Sequence, residues 1–303
     1  MSTYTYDEDV QHINKIQFSI FTNDDVLDYS SVKKDENGIT LPESYENSEP
    51  KRGGLVDTRL GITDRNLQCA YCGLGDIKCQ GHFGHMKLVT PVFNYAFFNT
   101  VKQILSCICL RSARLLIHTN PKDRDNIIKL YTGKKRFSEI KKLSSTITYS
   151  DVGVPVPKIK EERKNKGSLL LVAETVLSNI LNEDDNVTQS KVLKEELNAM
   201  DVYNIFRNIT DEDFELLGFS VKLFRPEDLL IYNFPFPPLA IRPSLRAYYL
   251  NTQIFEDDLT HQLSNIVKFN EKYRQQKEKE LISGEESKFG KDLSNYLQCA
   301  IIN

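Results

Sequence analysis

Alternating apolar positions near the N-terminus predict one strand followed by a short helix. Ile16, Phe18 and Ile20 alternate with polar residues, the two-residue period of a half-buried β-strand. The Asp-Asp pair at 24–25 offers a helix start, because carboxylates are favoured in the first turn of a helix. Residues 28–52 are polar and aperiodic, so we expect a loop there.

The next strong apolar pattern follows a Gly- and Cys-rich stretch, residues 53–88, which we expect to be loop-like. From Pro91 to Ile108 the apolar residues recur every three or four positions, which predicts one long helix with proline in its first turn. Residues 118–168 are polar and basic, and we expect them to contain mobile insertions.

The second half of the chain is dominated by helical patterns. They predict helices over 191–208, over a short segment that starts at Thr210 and stops at Gly218, over 256–279 and over 292–302. Residues 225–228 can start a short element, and residues 232–238 contain three prolines and predict an extended connector. The fold class predicted is therefore α+β and helix-rich.

Length and hydropathy limit the class of protein. A chain of 303 residues suits two or three domains, at roughly 100–200 residues per domain. No stretch approaches the ~20 apolar residues of a membrane helix, and the acidic N-terminus lacks the apolar run of a secretory signal. We therefore expect an intracellular protein that has no membrane partner.

The net charge of −3 conceals an asymmetry. Residues 1–50 carry 11 acidic and 3 basic side chains, whereas residues 111–166 carry 15 basic and 6 acidic ones. Such a basic region beside an acidic segment indicates a polyanionic partner. The simpler alternative is a solvated, lysine-rich loop region.

Five of the six cysteines precede the basic region, and three of them form a metal-binding pattern with a histidine. Cys69-x2-Cys72-x6-Cys79-x2-His82 supplies four ligands that suit tetrahedral Zn²⁺. Because this ligand set leaves no open position, it predicts one structural zinc and no hydrolytic chemistry. His85 is a rival fourth ligand, but the tighter spacing favours His82.

The remaining cysteines are interpreted as small buried hydrophobic residues. Cys107 and Cys109 lie two apart on the predicted long helix and would project about 200° from each other. They are therefore not expected to share an ion, and Cys299 has no neighbouring cysteine in sequence.

No catalytic constellation is visible. The chain has no Gly-x4-Gly-Lys phosphate loop, no Gly-x-Ser-x-Gly elbow and no His-Glu-x-x-His. Its acidic clusters, at 24–25, 211–213 and 256–258, lie where helices are predicted to begin, so compensation of the helix dipole accounts for them. We assign no catalytic residue.

Several motifs, in order along the chain, resemble the opening of the largest subunit of eukaryotic-type multisubunit DNA-dependent RNA polymerase. The most specific are GGLVDTRLGITDRNLQC at 53–69 and CQGHFGH at 79–85. Further similar segments are 16–21, 91–109, 204–209, 214–219, 225–226, 237–238, 242–244 and 256–260. The resemblance covers nearly the whole chain except 28–52, much of 118–168, and 182–190.

The resemblance implies the polymerase clamp, with clamp head, clamp core and a small Cys3His zinc knuckle. The implied sections are an N-terminal strand and acidic loop over 1–52, the clamp head with its knuckle and basic insertions over 53–168, clamp-core helices over 169–244, a lid-like loop over 245–257, and further clamp-core helices over 258–303. In the lid-like loop, Arg246, Tyr248 and Tyr249 would contact the transcript where it leaves the template. An ordinary surface loop is the alternative.

The resemblance also implies function and partners. The clamp closes over DNA and the DNA–RNA hybrid, so this segment would serve a nucleotidyltransferase while being inactive alone. The implied partners are the remainder of the largest subunit, the second-largest and smaller subunits, the DNA template and the RNA transcript. Mg²⁺ is expected for the whole enzyme but not on this chain. The implied location is the nucleus, a cytoplasmic viral factory or a virion.

Two departures from the family pattern matter. The family often has a second zinc site opened by a Cys-x2-Cys pair, but here Ser112 follows Cys109 at the second position. We expect that site to be lost, which fits a divergent relative such as one from a large DNA virus. The Asp-rich catalytic motif is also absent, so the chain is either one piece of a split subunit or a fragment. The alternative function is a free-standing zinc-stabilised transcription module that binds nucleic acid or protein.

Overall fold

The computed structural model describes residues 13–32, 37–47, 49–64, 66–75, 77–162, 170–177, 191–247, 253–283 and 288–302. Its α-helices are α1 (Asn23–Tyr29), α2 (Phe98–Leu105), α3 (Pro121–Leu130), α4 (Gly133–Ser144), α5 (Ala199–Arg207), α6 (Asp211–Leu216), α7 (Asp258–Ser283) and α8 (Lys288–Ile302). Its strands are β1 (Tyr45–Glu46), β2 (Glu49–Pro50), β3 (Gly84–Phe93), β4 (Lys158–Glu162), β5 (Leu170–Leu177), β6 (Lys191–Leu197), β7 (Leu230–Phe236), β8 (Leu245–Ala247) and β9 (Gln253–Phe255). The mixture of helices and strands predicted from the sequence is confirmed.

Two hydrophobic clusters are connected by the long strand β3, which pairs antiparallel with β7 from Gly84↔Phe236 to Phe93↔Leu230. One cluster gathers α2, α5, α6 and β5 around Phe206. The other packs α7 and α8 against β3 and the segment before the cysteines. Residues on both sides of position 168 share the first cluster, so the sections predicted to be clamp head and clamp core are packed together.

The predicted N-terminal strand is absent from the described residues. Residues 13–21 form no strand, and Ile16 and Phe18 are 70% and 90% exposed. Only Ile20 of the alternating face packs against a cluster. The helix start is correct, because Thr22 and Asp25 form a capping box at the beginning of α1.

The helix predicted from Pro91 to Ile108 is confirmed only between Phe98 and Leu105. Pro91 lies in β3, where the register with β7 is irregular and a missing N–H is tolerated. The helix begins only at Phe98 and ends at Leu105. Both faces of β3 are buried at its C-terminal end, so its apolar residues do not alternate with polar ones. Together with the apolar residues that follow, they gave the three- and four-residue spacing of a helix.

Two further segments contain structure that their sequence patterns did not indicate. Residues 118–162, predicted only as polar and basic, include α3, α4 and β4, with Ile127 and Ile140 buried, while 163–168 lie outside the described residues. Residues 191–197 form β6 instead of the first half of a helix, paired with β5 in a three-stranded antiparallel sheet. Strand pairing overrides the helical preference of this Lys- and Glu-rich segment.

The later predictions hold better. Thr210 caps α6, and Gly218 follows the helix with a φ of +95°, where an added Cβ would lie 2.6 Å from the Gly133 carbonyl oxygen. The helices predicted at 256–279 and 292–302 correspond to α7 and α8. The connector predicted at 232–238 is mostly β7. Among the described helices, none has both the length and the apolar character required to cross a bilayer.

Candidate metal centre

Four potential metal ligands converge between the short turn Thr58–Leu60 and the start of β3. The Sγ atoms of Cys69, Cys72 and Cys79 and a ring nitrogen of His82 all lie within 4.8 Å of one another. Within the described residues this is the one group of three or more Cys, His, Asp or Glu side chains with such proximity. Cys69 and Cys79 are buried, and the other two ligands are partly exposed.

The distances in the cluster fit a tetrahedral zinc ion. Cys72 Sγ lies 3.7 Å from Cys79 Sγ, and Cys79 Sγ lies 3.5 Å from His82 Nε2. Sulfur atoms about 2.3 Å from an ion at tetrahedral angles stand about 3.8 Å apart, and a sulfur and a nitrogen stand about 3.6 Å apart. The observed separations agree with both values, so the donor set and its spacing suit Zn²⁺.

The cysteine turn is shaped by backbone hydrogen bonds. The Cys69 amide donates to the Leu74 carbonyl at 3.0 Å, and the Gly73 amide donates to the Cys69 carbonyl at 2.8 Å. Gly73 has a φ of +71°, a conformation in which glycine carries no Cβ penalty. The turn thereby brings Cys69 and Cys72 to the same side.

A second glycine, Gly81, allows the Cys79–His82 segment to pack closely against neighbouring residues. Gly81 has a φ of +82°, and an added Cβ would lie 2.8 Å from the Cβ of Pro238. The amide of the next residue, His82, donates to the Leu60 carbonyl at 3.0 Å. The Cys79-x2-His82 pair is therefore held against the segment before the first cysteine.

A buried ion pair fixes that preceding segment. Asp57 is 1% exposed and accepts hydrogen bonds from the Gly53 amide at 2.6 Å and from Nη2 of Arg59 at 2.8 Å. Burial opposes ionisation of Asp57, but the hydrogen bonds from Arg59 and from the backbone outweigh it and hold the pKa of this carboxyl below its usual value. The pair stabilises the short turn Thr58–Leu60, whose Thr58 carbonyl accepts from the Ala70 amide.

Arg242 ties the same segment to the end of β7 and the start of α7. Its side chain is buried and donates to the carbonyls of Leu55 at 2.6 Å and Pro237 at 3.2 Å, and to Oγ1 of Thr260 at 3.4 Å. Its guanidinium also lies over the Phe236 ring, and burial lowers the pKa of Arg242 to about 10. The Arg-Pro-Ser segment at 242–244 was recognisable as a family motif, but nothing in its sequence indicated this contact.

The two rival histidines have different surroundings. His82 points into the cysteine cluster and its ring lies 4.7 Å from that of Tyr71. His85 is 1% exposed, and its Nδ1 lies 2.7 Å from Ser30 Oγ at the end of α1. The structure therefore brings together Cys69, Cys72, Cys79 and His82 and leaves His85 in a packing role.

The thiols of the cluster differ in acidity. The Leu74 backbone amide, as the main cause, lowers the pKa of Cys72 to about 7. Burial raises the pKa of Cys79 to about 11. Because a thiol binds metal as the thiolate, an ion that enters this cluster displaces a proton from Cys79 at neutral pH.

A second turn repeats the hydrogen-bond pattern of the first. The Cys109 amide donates to the Arg114 carbonyl at 2.9 Å, the Ala113 amide donates to the Cys109 carbonyl at 2.8 Å, and Ala113 has a φ of +55°. Ser112 thus occupies the position that corresponds to Cys72. The sequence predicted that Cys107 and Cys109 lie on the helix, but both come after the end of α2. Both are buried, as predicted.

The segment predicted to be a lid-like loop contains two short strands, β8 and β9. β8 and β9 pair antiparallel, with Arg246 opposite Ile254. Tyr248 and Tyr249 lie outside the described residues, as does the side chain of Arg246. Phe255, at the end of β9, is 53% exposed.

Cys299 on α8 is partly buried.

Comparisons with known proteins agree with the motifs. The family model of RNA polymerase Rpb1, domain 1, matches residues 10–303. The DNA-directed RNA polymerase subunit 1 of Acanthamoeba polyphaga mimivirus is 38% identical over 275 residues, which cover 88% of this chain and 18% of that subunit. The chain thus spans less than a fifth of the curated relative that it matches. The chain belongs to the family of the first domain of the RNA polymerase largest subunit.

Proposed function

We propose that this chain is the N-terminal clamp part of the largest subunit of a DNA-directed RNA polymerase, where it holds DNA and the DNA–RNA hybrid during transcription. The observation that carries the proposal is the family match, which runs from residue 10 to residue 303. The 38% identity to a mimivirus polymerase subunit supports it and supports a source in a large DNA virus.

The Cys3His cluster is proposed to bind one structural zinc ion. Cys69, Cys72 and Cys79 supply thiolates and His82 supplies Nε2, so the tetrahedral coordination is complete. The ion would cross-link a segment that has few apolar residues of its own. Arg242 and the Asp57–Arg59 pair then hold this cross-linked segment against β7 and α7.

Nucleotidyl transfer is assigned to the assembled enzyme, not to this chain. The sequence contains no carboxylate triad for Mg²⁺, and the chain matches only 18% of its viral relative. The remainder of the largest subunit, the second-largest subunit and the smaller subunits would complete the active centre. Residues 53–168 are proposed as clamp head, and residues 169–244 and 258–303 as clamp core.

The hairpin of β8 and β9 is proposed as the base of the lid, which separates the transcript from the template. Arg246, Tyr248 and Tyr249 are its candidate contacts, since aromatic rings stack on unpaired bases and Arg binds phosphate. The support is the antiparallel pairing of Leu245–Ala247 with Gln253–Phe255, the two strands that flank the candidate tyrosines in sequence.

Photo-cross-linking tests the clamp role in the assembled enzyme. A DNA–RNA scaffold would carry photoreactive nucleotides in the hybrid and in the duplex ahead of it. We expect this chain to cross-link to both positions, and only when the scaffold is engaged in RNA extension. Extension without any cross-link to this chain would contradict the clamp assignment.

A further inference from the structure

Helix α4 has a cationic face that is exposed and takes no part in core packing. The segment 133–145 contains five basic residues and one acidic residue in a chain whose net charge is −3. Lys134, Lys135, Lys141 and Lys142 are all exposed, together with Ser138 and Ser145. Their three- and four-residue spacing places them on one side of the helix, opposite the buried Ile140.

The one arginine of α4 has a different role. Arg136 donates from Nε to the Tyr131 carbonyl at 2.9 Å and from Nη2 to the Ile128 carbonyl at 3.4 Å, and so satisfies carbonyls at the end of α3. It also reaches the Glu215 carbonyl at 3.5 Å. This side chain connects elements of the fold, whereas the lysines face away from it.

The stability of α4 accounts for only part of this charge, namely Lys141 and Lys142 in the last turn, where the helix dipole favours cations. Lys142 lies 2.6 Å from Glu139, but within the described residues Lys134, Lys135 and Lys141 have no ion-pair partner. Lys134 and Lys135 stand in the first turn of α4, which has no acidic residue, and cations there are opposed by the helix dipole. Folding alone therefore does not account for Lys134 and Lys135, or for the continuous cationic face that they form with Lys141 and Lys142.

We propose that this face of α4 binds the phosphate backbone of the DNA duplex; the inference rests on the proposed function and identifies one surface by which the clamp holds DNA. Lysine and serine side chains are typical ligands of the sugar–phosphate backbone. The face has no exposed aromatic or aliphatic anchor between its lysines, and such anchors carry most protein–protein interfaces. An acidic protein is therefore the less favoured occupant.

The expected contribution is electrostatic and depends on salt. Each phosphate neutralised by a lysine makes the slope of log affinity against log salt more negative by about 0.9 for duplex DNA. Three lysines without intramolecular partners therefore predict a contribution of about 3 to that slope. Affinity for different DNA sequences should change equally, because backbone contacts carry no base information.

The experiment measures the dissociation of the assembled polymerase from DNA–RNA scaffolds over a series of KCl concentrations. The test variant replaces Lys134, Lys135, Lys141 and Lys142 with Gln. The matched control replaces four exposed lysines of α7 with Gln, namely Lys268, Lys272, Lys277 and Lys279. We expect the slope to become less steep by about 3 in the α4 variant, and to stay as in the wild type in the α7 variant. Equal slopes in the two variants would overturn the proposal.

Lysine footprinting of the wild-type enzyme tests the DNA contact even if the α4 variant fails to assemble. An amine-reactive reagent should modify Lys134, Lys135 and Lys141 in the free enzyme and spare them on the scaffold. Full reactivity on the scaffold, or protection by another protein without DNA, would overturn the DNA assignment. A wild-type preparation that extends no RNA would instead contradict the proposed function, so the two failures are distinguishable.

Discussion

Nη2 of Arg242 donates a hydrogen bond of 2.6 Å to the carbonyl oxygen of Leu55, although the two residues are 187 positions apart in sequence. The contact joins the segment that leads into the cysteine cluster with the segment that leads into β8. The same guanidinium reaches the Pro237 carbonyl and Thr260 Oγ1. One buried side chain thereby connects the candidate metal centre, β7 and α7.

Arg242→Met should lower the free energy of unfolding of the chain by roughly 2–4 kcal/mol, because each buried acceptor left without a donor costs about 1–3 kcal/mol. Arg242→Lys should recover part of this loss, since one ammonium can still reach Leu55. Urea denaturation of both variants measures the difference. Full stability in the Met variant would mean that water satisfies these carbonyls.

Asp57→Ala should destabilise the chain by about 3–5 kcal/mol, since it removes the carboxylate to which Nε and Nη2 of the buried Arg59 donate. The folded-state pKa of Asp57 lies below its usual value, so its stabilisation is present above the unfolded pKa of about 3.9 and is lost as the pH falls through the folded value. Denaturation at neutral and acidic pH measures both effects. We expect the gap between wild type and variant to narrow in acid; a constant gap would contradict the pairing.

The metal count should be one tightly bound zinc ion per chain. Cys79→Ser should abolish it and unfold residues 53–90, because structural zinc contributes about 10–16 kcal/mol of apparent binding energy in small peptides. Cys109→Ser is the matched control and should leave the zinc content unchanged, since Ser112 stands where a second ligand would be needed. Elemental mass spectrometry of the pure proteins measures the count. Two zinc ions per chain, or loss of zinc in the Cys109 variant, would show that the second turn also binds metal.

Replacement of both Tyr248 and Tyr249 with Ala should impair displacement of the transcript in the assembled enzyme, because base stacking contributes about 1–3 kcal/mol per base. Initiation at a preformed bubble should change less. Tyr95→Ala, at an exposed tyrosine of the fold, serves as the control. Transcript displacement and processivity equal to those of the wild type would reject the lid assignment.

Local chemistry was predictable and long-range packing was not. The four ligands of the cluster lie within fourteen residues, so their spacing alone indicated a common ion. The start of α1 followed from the Asp-Asp pair at 24–25, and that of α6 from the capping residue Thr210. The strand β6 was missed because its pairing with β5 depends on residues about 20 positions away, while its own composition favours a helix. Arg242 and Leu55 could not be paired from the sequence for the same reason.

Exposure also depends on what lies nearby in space. Ile16 and Phe18 have the alternation of a half-buried strand, yet within the described residues only Ile20 of that face is covered. A periodic pattern indicates that a face suits burial but does not supply the element that buries it. The C-terminal end of β3 is the opposite case, a strand without the alternating pattern. Because both of its faces are buried, apolar and polar residues do not alternate there, and the strand was not recognisable from the sequence.

Co-elution of RNA synthesis with this chain tests the central claim most directly. The polymerase would be isolated through a tag on the subunit that contains this chain, separated by size, and each fraction assayed for template-directed RNA extension with Mg²⁺. We expect synthesis to follow the chain into a fraction that also contains a second large subunit, and the pure 303-residue chain alone to incorporate no nucleotide. A chain that elutes alone, with synthesis in fractions that lack it, would contradict the account and favour a free-standing zinc-stabilised module.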